Sequence, residues 1–189
     1  MKVAISGGIG SGKSAVTRIL RELGAKVVVA DEVNASLLTE KDYIEKIKNR
    51  FPAVVHNNVI NKKELAAIIY RDEGERRALM EIAHPIIFRR MLSLYPDEAL
   101  VFYEIPLLSE SPIRFDRIWY VDAPLSDRVK RISIRDEVDR EYAERIISLQ
   151  VGEDRFLSIA DAVINNHGDL DALKECVKRE YYSILGLFS

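Results

Sequence analysis

The stretch that most limits what this chain can become is "KVAISGGIGSGKSA", residues 2–15. An apolar run passes there directly into a loop with glycines at 7, 8, 10 and 12, and then into a helical pattern. A chain gives up backbone order in this way where main-chain groups must turn sharply or converge on something. Gly7, Gly12, Lys13 and Ser14 satisfy the pattern G-x-x-x-x-G-K-[ST]. In that arrangement the loop N–H groups and the positive end of the following helix cradle phosphate oxygens. The lysine neutralises the β and γ phosphates, and the serine hydroxyl joins the coordination of Mg²⁺. The loop requires a strand before it and a helix after it, which commits the chain to an α/β architecture. It names a grip and leaves the reaction open.

Five β-type runs fit that architecture: residues 2–6, 26–30, 99–105, 117–123 and 161–165. They are nearly continuous in apolar character, as strands covered on both faces are, and predict a three-layer α/β/α fold with a five-stranded parallel sheet. Numbering those runs 1 to 5, the expected strand order is 2-3-1-4-5. Helical patterns at 13–23, closed by Gly24, and at 169–185 supply covering helices. Between the second and third runs lie about seventy residues with several helical patterns, far more than one crossover needs. They read as an inserted helical lobe, residues 32–96. The charged stretch 124–150, opened by Pro124, reads as a lid. The expected organisation is one domain, with residues 1–31 and 97–189 as nucleotide-binding core.

The 189 residues carry 28 basic and 30 acidic side chains, so no net basic field points to nucleic acid. A single cysteine, Cys176, suits a reducing compartment and a buried structural thiol. No apolar stretch reaches membrane-spanning length, and "MKVAIS" reads as a core strand in place of a leader. The expectation is a cytoplasmic protein without membrane partners, monomeric, with self-association left open.

Other residues add chemistry. Asp31 directly follows the second run, where ligands of open α/β sheets sit; it suits a base for an attacking hydroxyl, a holder of metal-bound water, or a helix N-cap. Arg128, Arg131 and Arg135 stand at i, i+3 and i+7 on one helical face and suit a lid that follows charge on transferring phosphate. His84 in "IAHPII" reads as a core histidine at a proline kink or as a site residue. In "EIPLLSE", Leu107 and Leu108 are candidate crevice contacts. Glu104 and Glu110 are candidates for metal or substrate, or else surface charges. No guanine-reading N-K-x-D pattern appears, so phosphotransfer to a small molecule remains.

These residues resemble a known family, the dephospho-CoA kinases. "SGGIGSGKSA" is similar to the family's TGGIGSGKST, "VVVADEV" to V-I-D-A-D, "IAHPII" to I-x-HP-x-I and "IPLLSE" to PLL-x-E. "RISIRD" with "ERIISLQ" is similar to R-x-x-x-R with R-I-x-x-Q, and "IADAVINNHG" to AD-x-V-I-x-N-x-G. Six motifs run in the same order along nearly the whole chain. The resemblance implies transfer of the γ-phosphoryl of ATP to the ribose 3′-hydroxyl of dephospho-CoA, with ATP and Mg²⁺ as cofactors. Gly8, Ile9, Gly10, Ser11, Gly12, Lys13, Ser14 and Ala15 would hold ATP, with Arg135 in support, and Ser14 would bind Mg²⁺. Asp31, Lys13 and Arg131 would be catalytic, and Ser6, Asp31, His84, Leu107, Leu108 and Glu110 would form the dephospho-CoA site. Three positions depart from the family pattern: Val29 for the first aspartate of D-A-D, Ala15 for threonine, and Arg128 for glutamine. The same grip would also serve a kinase of another small alcohol or nucleotide, or a non-catalytic ATP-binding regulator.

Overall fold

In the computed structural model, which describes residues 1–106, 108–150 and 155–188, the chain forms two compact units, Met1–Val28 with Asp97–Ser189, and Val29–Pro96. The first elements in chain order are β1 (Lys2–Ser6), α1 (Lys13–Glu22), β2 (Lys26–Val29), α2 (Ala30–Leu37) and α3 (Lys41–Arg50). Two short strands, β3 (Val55–His56) and β4 (Val59–Ile60), precede α4 (Lys62–Arg71) and α5 (Glu73–Ser93). The remaining elements are β5 (Val101–Glu104), β6 (Arg117–Asp122), α6 (Leu125–Asp136), α7 (Arg140–Ser148), α8 (Arg155–Ser158), β7 (Ala162–Asn165) and α9 (Leu170–Leu185).

The main sheet has the order β2-β5-β1-β6-β7, and β1 runs parallel to both β5 and β6, as β6 does to β7. Its numbers differ from the expected 2-3-1-4-5 because β3 and β4 intervene in the chain. These two strands form an unanticipated hairpin, turned by Asn57 and Asn58 at φ 51° and 60°.

The apolar runs follow from burial on both faces. On one face Phe102 and Trp119 meet at 5.0 Å between ring centroids, and Tyr181 of α9 adds a third ring 5.9 Å from Phe102. On the other, Ala4 and Tyr120 pack with Leu108 and Phe156, and Phe115 lies alongside, 5.8 Å from the ring of Tyr103. Burial pushes the Tyr181 and Tyr103 hydroxyls above the usual tyrosine range.

The helical unit has its own core, including Leu37, Ile47, Val54 and Met91, all nearly inaccessible. Two of its helices begin at polar residues that satisfy first-turn donors: Asn61 accepts from Lys63 and Glu64, and Asp72 from Gly74 and Glu75. Cys176, expected to be buried, is partly exposed on α9, where Arg179 approaches its sulfur at 3.8 Å. No helix among the described residues is long and apolar enough to cross a membrane.

Candidate active site

The loop begins where β1 ends. Gly7 sits at φ 147°, and a Cβ there would lie 2.5 Å from the carbonyl oxygen of Val121 and 2.9 Å from Ser11 Oγ. Gly12 is the N-cap of α1 at φ 100°, ψ 25°, a left-handed conformation, and a Cβ on it would lie 2.1 Å from Asn166 Nδ2. Only glycine fits both positions. The Gly12 carbonyl accepts from Ala15 N (2.9 Å) and Val16 N (3.2 Å), so the N–H groups of Lys13 and Ser14 lie ahead of the first intrahelical bonds. Two adjacent donors at the positive end of a ten-residue helix are the elements of an anion cradle.

Cationic side chains gather on this loop. Lys13 Nζ donates to the carbonyls of Gly7 (2.7 Å) and Gly8 (3.2 Å). Arg128 Nε donates to Ile9 O at 2.9 Å. Arg131 Nη1 donates to Gly10 O and Ser11 O, each at 3.2 Å, and its Nη2 to Asn166 O at 3.4 Å. Helix α6 brings both arginines to the loop, and its buried Val129 and Ile132 pack with Ala143 of α7 and with Ile9 itself. Arg135, one turn beyond, instead pairs with its neighbour Asp136 through two bonds of 2.7 Å. That pairing raises the Arg135 pKa and holds the Asp136 carboxyl below its usual range.

Two residues without an assigned role in the sequence reading complete the loop. Asn166, 7% exposed after β7, donates from Nδ2 to Ser11 O at 2.7 Å, and Gln150 Oε1 accepts from Ile9 N at 2.5 Å. Asn166 opens the N-x-G of "NNHG" and Gln150 ends "ERIISLQ", and those motifs were the signal that could have found them. The polar groups of Ser11 turn inward: its N–H donates to Gly8 O at 3.1 Å, and its hydroxyl is buried without a partner among the described residues.

The other predicted positions divide. Ser14 is exposed at the start of α1, open to a phosphate or metal ligand. Ser6, expected at the substrate site, is fully buried at the end of β1. Leu108, expected to line a crevice, is 8% exposed in the cluster with Ala4, Tyr120 and Phe156. Leu107 lies outside the described residues. Glu110 is exposed, whereas Glu104 is 7% exposed at the end of β5, opposite Ile5 in register, and is no surface charge. Asp31 lies exposed in the first turn of α2 and does not cap it; the N-cap is Val29. His84 is partly exposed within α5, which continues through Pro85, and meets Phe88 edge-on at 5.4 Å.

No cluster of three or more His, Cys, Asp or Glu side chains able to hold a metal occurs among the described residues. A Mg²⁺ bound with phosphates needs only one or two protein oxygens, and the exposed Ser14 hydroxyl at the start of α1 is a hard-oxygen donor of the fitting kind.

Comparison with known proteins identifies the relatives of this site. Residues 1–172 match the family described as CoaE, dephospho-CoA kinase. A dephospho-CoA kinase of Fusobacterium nucleatum is 34% identical over 185 residues, covering 95% of this chain and 96% of the relative. One from Xanthomonas axonopodis pv. citri is 32% identical over 186 residues, covering 94% and 92%. Among solved structures, TT1252 from Thermus thermophilus superposes with TM-score 0.83 at 30% identity, covering 100% of this chain and 98% of the other. Dephospho-CoA kinase from Campylobacter jejuni (TM-score 0.66, 21% identity, covering 97% and 96%) shares the fold. So does shikimate kinase from Acinetobacter baumannii (0.57, 17%, covering 98% and 93%). The chain therefore belongs to the dephospho-CoA kinase family.

Proposed function

We propose that Lys13, Arg131 and Asp31, with the loop 7–14, carry out the reaction of the family in this chain. The chain is an ATP-dependent kinase that phosphorylates dephospho-CoA to coenzyme A. The observation that carries the assignment of residues is that Lys13 and Arg131 both rest on carbonyls of the glycine loop. Phosphate oxygens bear full charge and are stronger acceptors than carbonyls, so both cations can exchange carbonyl partners for phosphate oxygens while staying at the loop. The N–H groups of Lys13 and Ser14 and the dipole of α1 hold the same phosphates.

Asp31 accepts the proton of the ribose 3′-hydroxyl as that oxygen bonds to the γ-phosphorus, and the bond to the bridging oxygen of the departing ADP breaks. Charge then builds on the transferring and leaving oxygens, where Lys13 and Arg131 stabilise it, so the protein contributes position and electrostatics. Ser14 would hold Mg²⁺, which supplies charge neutralisation on the β and γ phosphates. His84 and Glu110 are assigned to dephospho-CoA. The single cysteine supports a reducing, cytoplasmic compartment.

The variant Asp31→Asn tests this reading. It should retain ATP binding while turnover falls by about 10²–10⁴, the worth of a general base. Near-normal turnover in a coupled ADP assay would remove Asp31 from that role.

A further inference from the structure

Five consecutive carbonyls, those of residues 7 to 11, accept hydrogen bonds from three cations. Lys13 takes the first two, Arg128 the third and Arg131 the last two. Lys13 and Arg131 have phosphate roles above. Arg128 has none in the proposed reaction.

Arg128 fits against the loop more tightly than its single hydrogen bond suggests. A Cβ on Gly8 would lie 2.2 Å from its Nη2 and 2.5 Å from its Cζ, so the guanidinium lies directly against that glycine. A Cβ on Gly10 would lie 2.8 Å from the Arg128 carbonyl oxygen and 3.1 Å from its Cα. Gly8 does not have a positive φ, so the room it leaves serves the arginine and not the backbone. Between these glycines, Ile9 is held at every handle: its carbonyl by Arg128, its N–H by Gln150 Oε1, and its side chain in the cluster of Val129, Ile132 and Ala143.

We infer that Arg128 is a positioning residue that clamps residues 8–10, so that the loop N–H groups are arranged for phosphate before nucleotide arrives. The effect on nucleotide affinity rests on the reading of the loop as an ATP site; the clamp itself does not. The bond runs from Nε, and glutamine places its Nε2 the same number of bonds from the backbone. An Arg128→Gln variant therefore keeps the donor to Ile9 O, and Arg128→Ala loses it.

The experiment compares wild type, Arg128→Ala and Arg128→Gln. Hydrogen exchange is followed by mass spectrometry on a peptide spanning the loop, without nucleotide, and binding of a non-hydrolysable ATP analogue is measured by titration calorimetry. In Arg128→Ala the loop amides should exchange about tenfold faster and the analogue should bind about tenfold more weakly, because ordering is then met at binding. Arg128→Gln should stay within about threefold of wild type in both, and kcat at saturating ATP should change little in either, unlike a general loss of folded protein. Unchanged loop exchange and analogue affinity in Arg128→Ala, or a glutamine variant as impaired as the alanine one, would overturn the inference. Faster loop exchange in Arg128→Ala with a wild type that binds no analogue would support the clamp and overturn the ATP reading instead.

Discussion

Replacing Gly12 with alanine imposes two separable costs. The first is conformational: φ 100° and ψ 25° place an L-residue in left-handed space, at about 1–2 kcal/mol. The second is steric, since the new methyl would lie 2.1 Å from Asn166 Nδ2, whose bond to Ser11 O at 2.7 Å is buried. Displacing that amide gives up a buried hydrogen bond, at about 1–3 kcal/mol. Gly12→Ala should therefore destabilise by about 2–5 kcal/mol. Gly24 provides the control, because it sits at φ 86° and a methyl added there would meet nothing within 4 Å, so Gly24→Ala should cost only the first amount. In an Asn166→Ala background the steric part disappears, and the double variant should be less destabilised than the sum of the single ones by about 1–3 kcal/mol. Trp119, the single tryptophan and 1% exposed, reports urea unfolding by fluorescence. A Gly12→Ala cost no larger than that of Gly24→Ala, or full additivity with Asn166→Ala, would refute the reasoning.

Lys13→Ala removes the ammonium on Gly7 O and Gly8 O and should lower kcat/KM by about 10²–10³, read as ADP release, with the protein still folded by circular dichroism. Arg131→Ala should reduce kcat more than it raises KM for dephospho-CoA in steady-state kinetics; a pure KM effect would move this arginine into substrate binding.

The main sheet could be read from sequence because burial on both faces leaves unbroken apolar runs, with Phe102 and Trp119 turned to α9 and Ala4 and Tyr120 to the opposite layer. The hairpin β3–β4 escaped because strands of two residues carry no periodicity, although adjacent Asn57 and Asn58 were the turn signal. An apolar residue after a strand reads alike whether it lines a crevice or a core, and Leu108 packs in the cluster with Ala4, Tyr120 and Phe156. Of the readings open for Asp31, the cap falls away because α2 already begins at Ala30, directly after a Val29 that carries no capping side chain.

Helical spacing grouped Arg128 and Arg131 correctly on the face that meets the loop. It could not tell how far along the helix the loop reaches: Arg135 stands seven residues beyond Arg128, about 10 Å along the axis, and pairs with Asp136. The loop glycines were legible as a phosphate grip, but their second partners were not. Arg128 against Gly8 and Gly10, and Asn166 against Gly12, are contacts between residues more than a hundred positions apart.

The central claim is that this glycine loop delivers phosphate to one acceptor. Wild-type protein with ATP and Mg²⁺ should release ADP in equal amount to a 3′-phosphorylated product when given dephospho-CoA, and should show only background release with AMP, adenosine or shikimate. Absence of ADP with dephospho-CoA, or faster release with any of the other three, would contradict it.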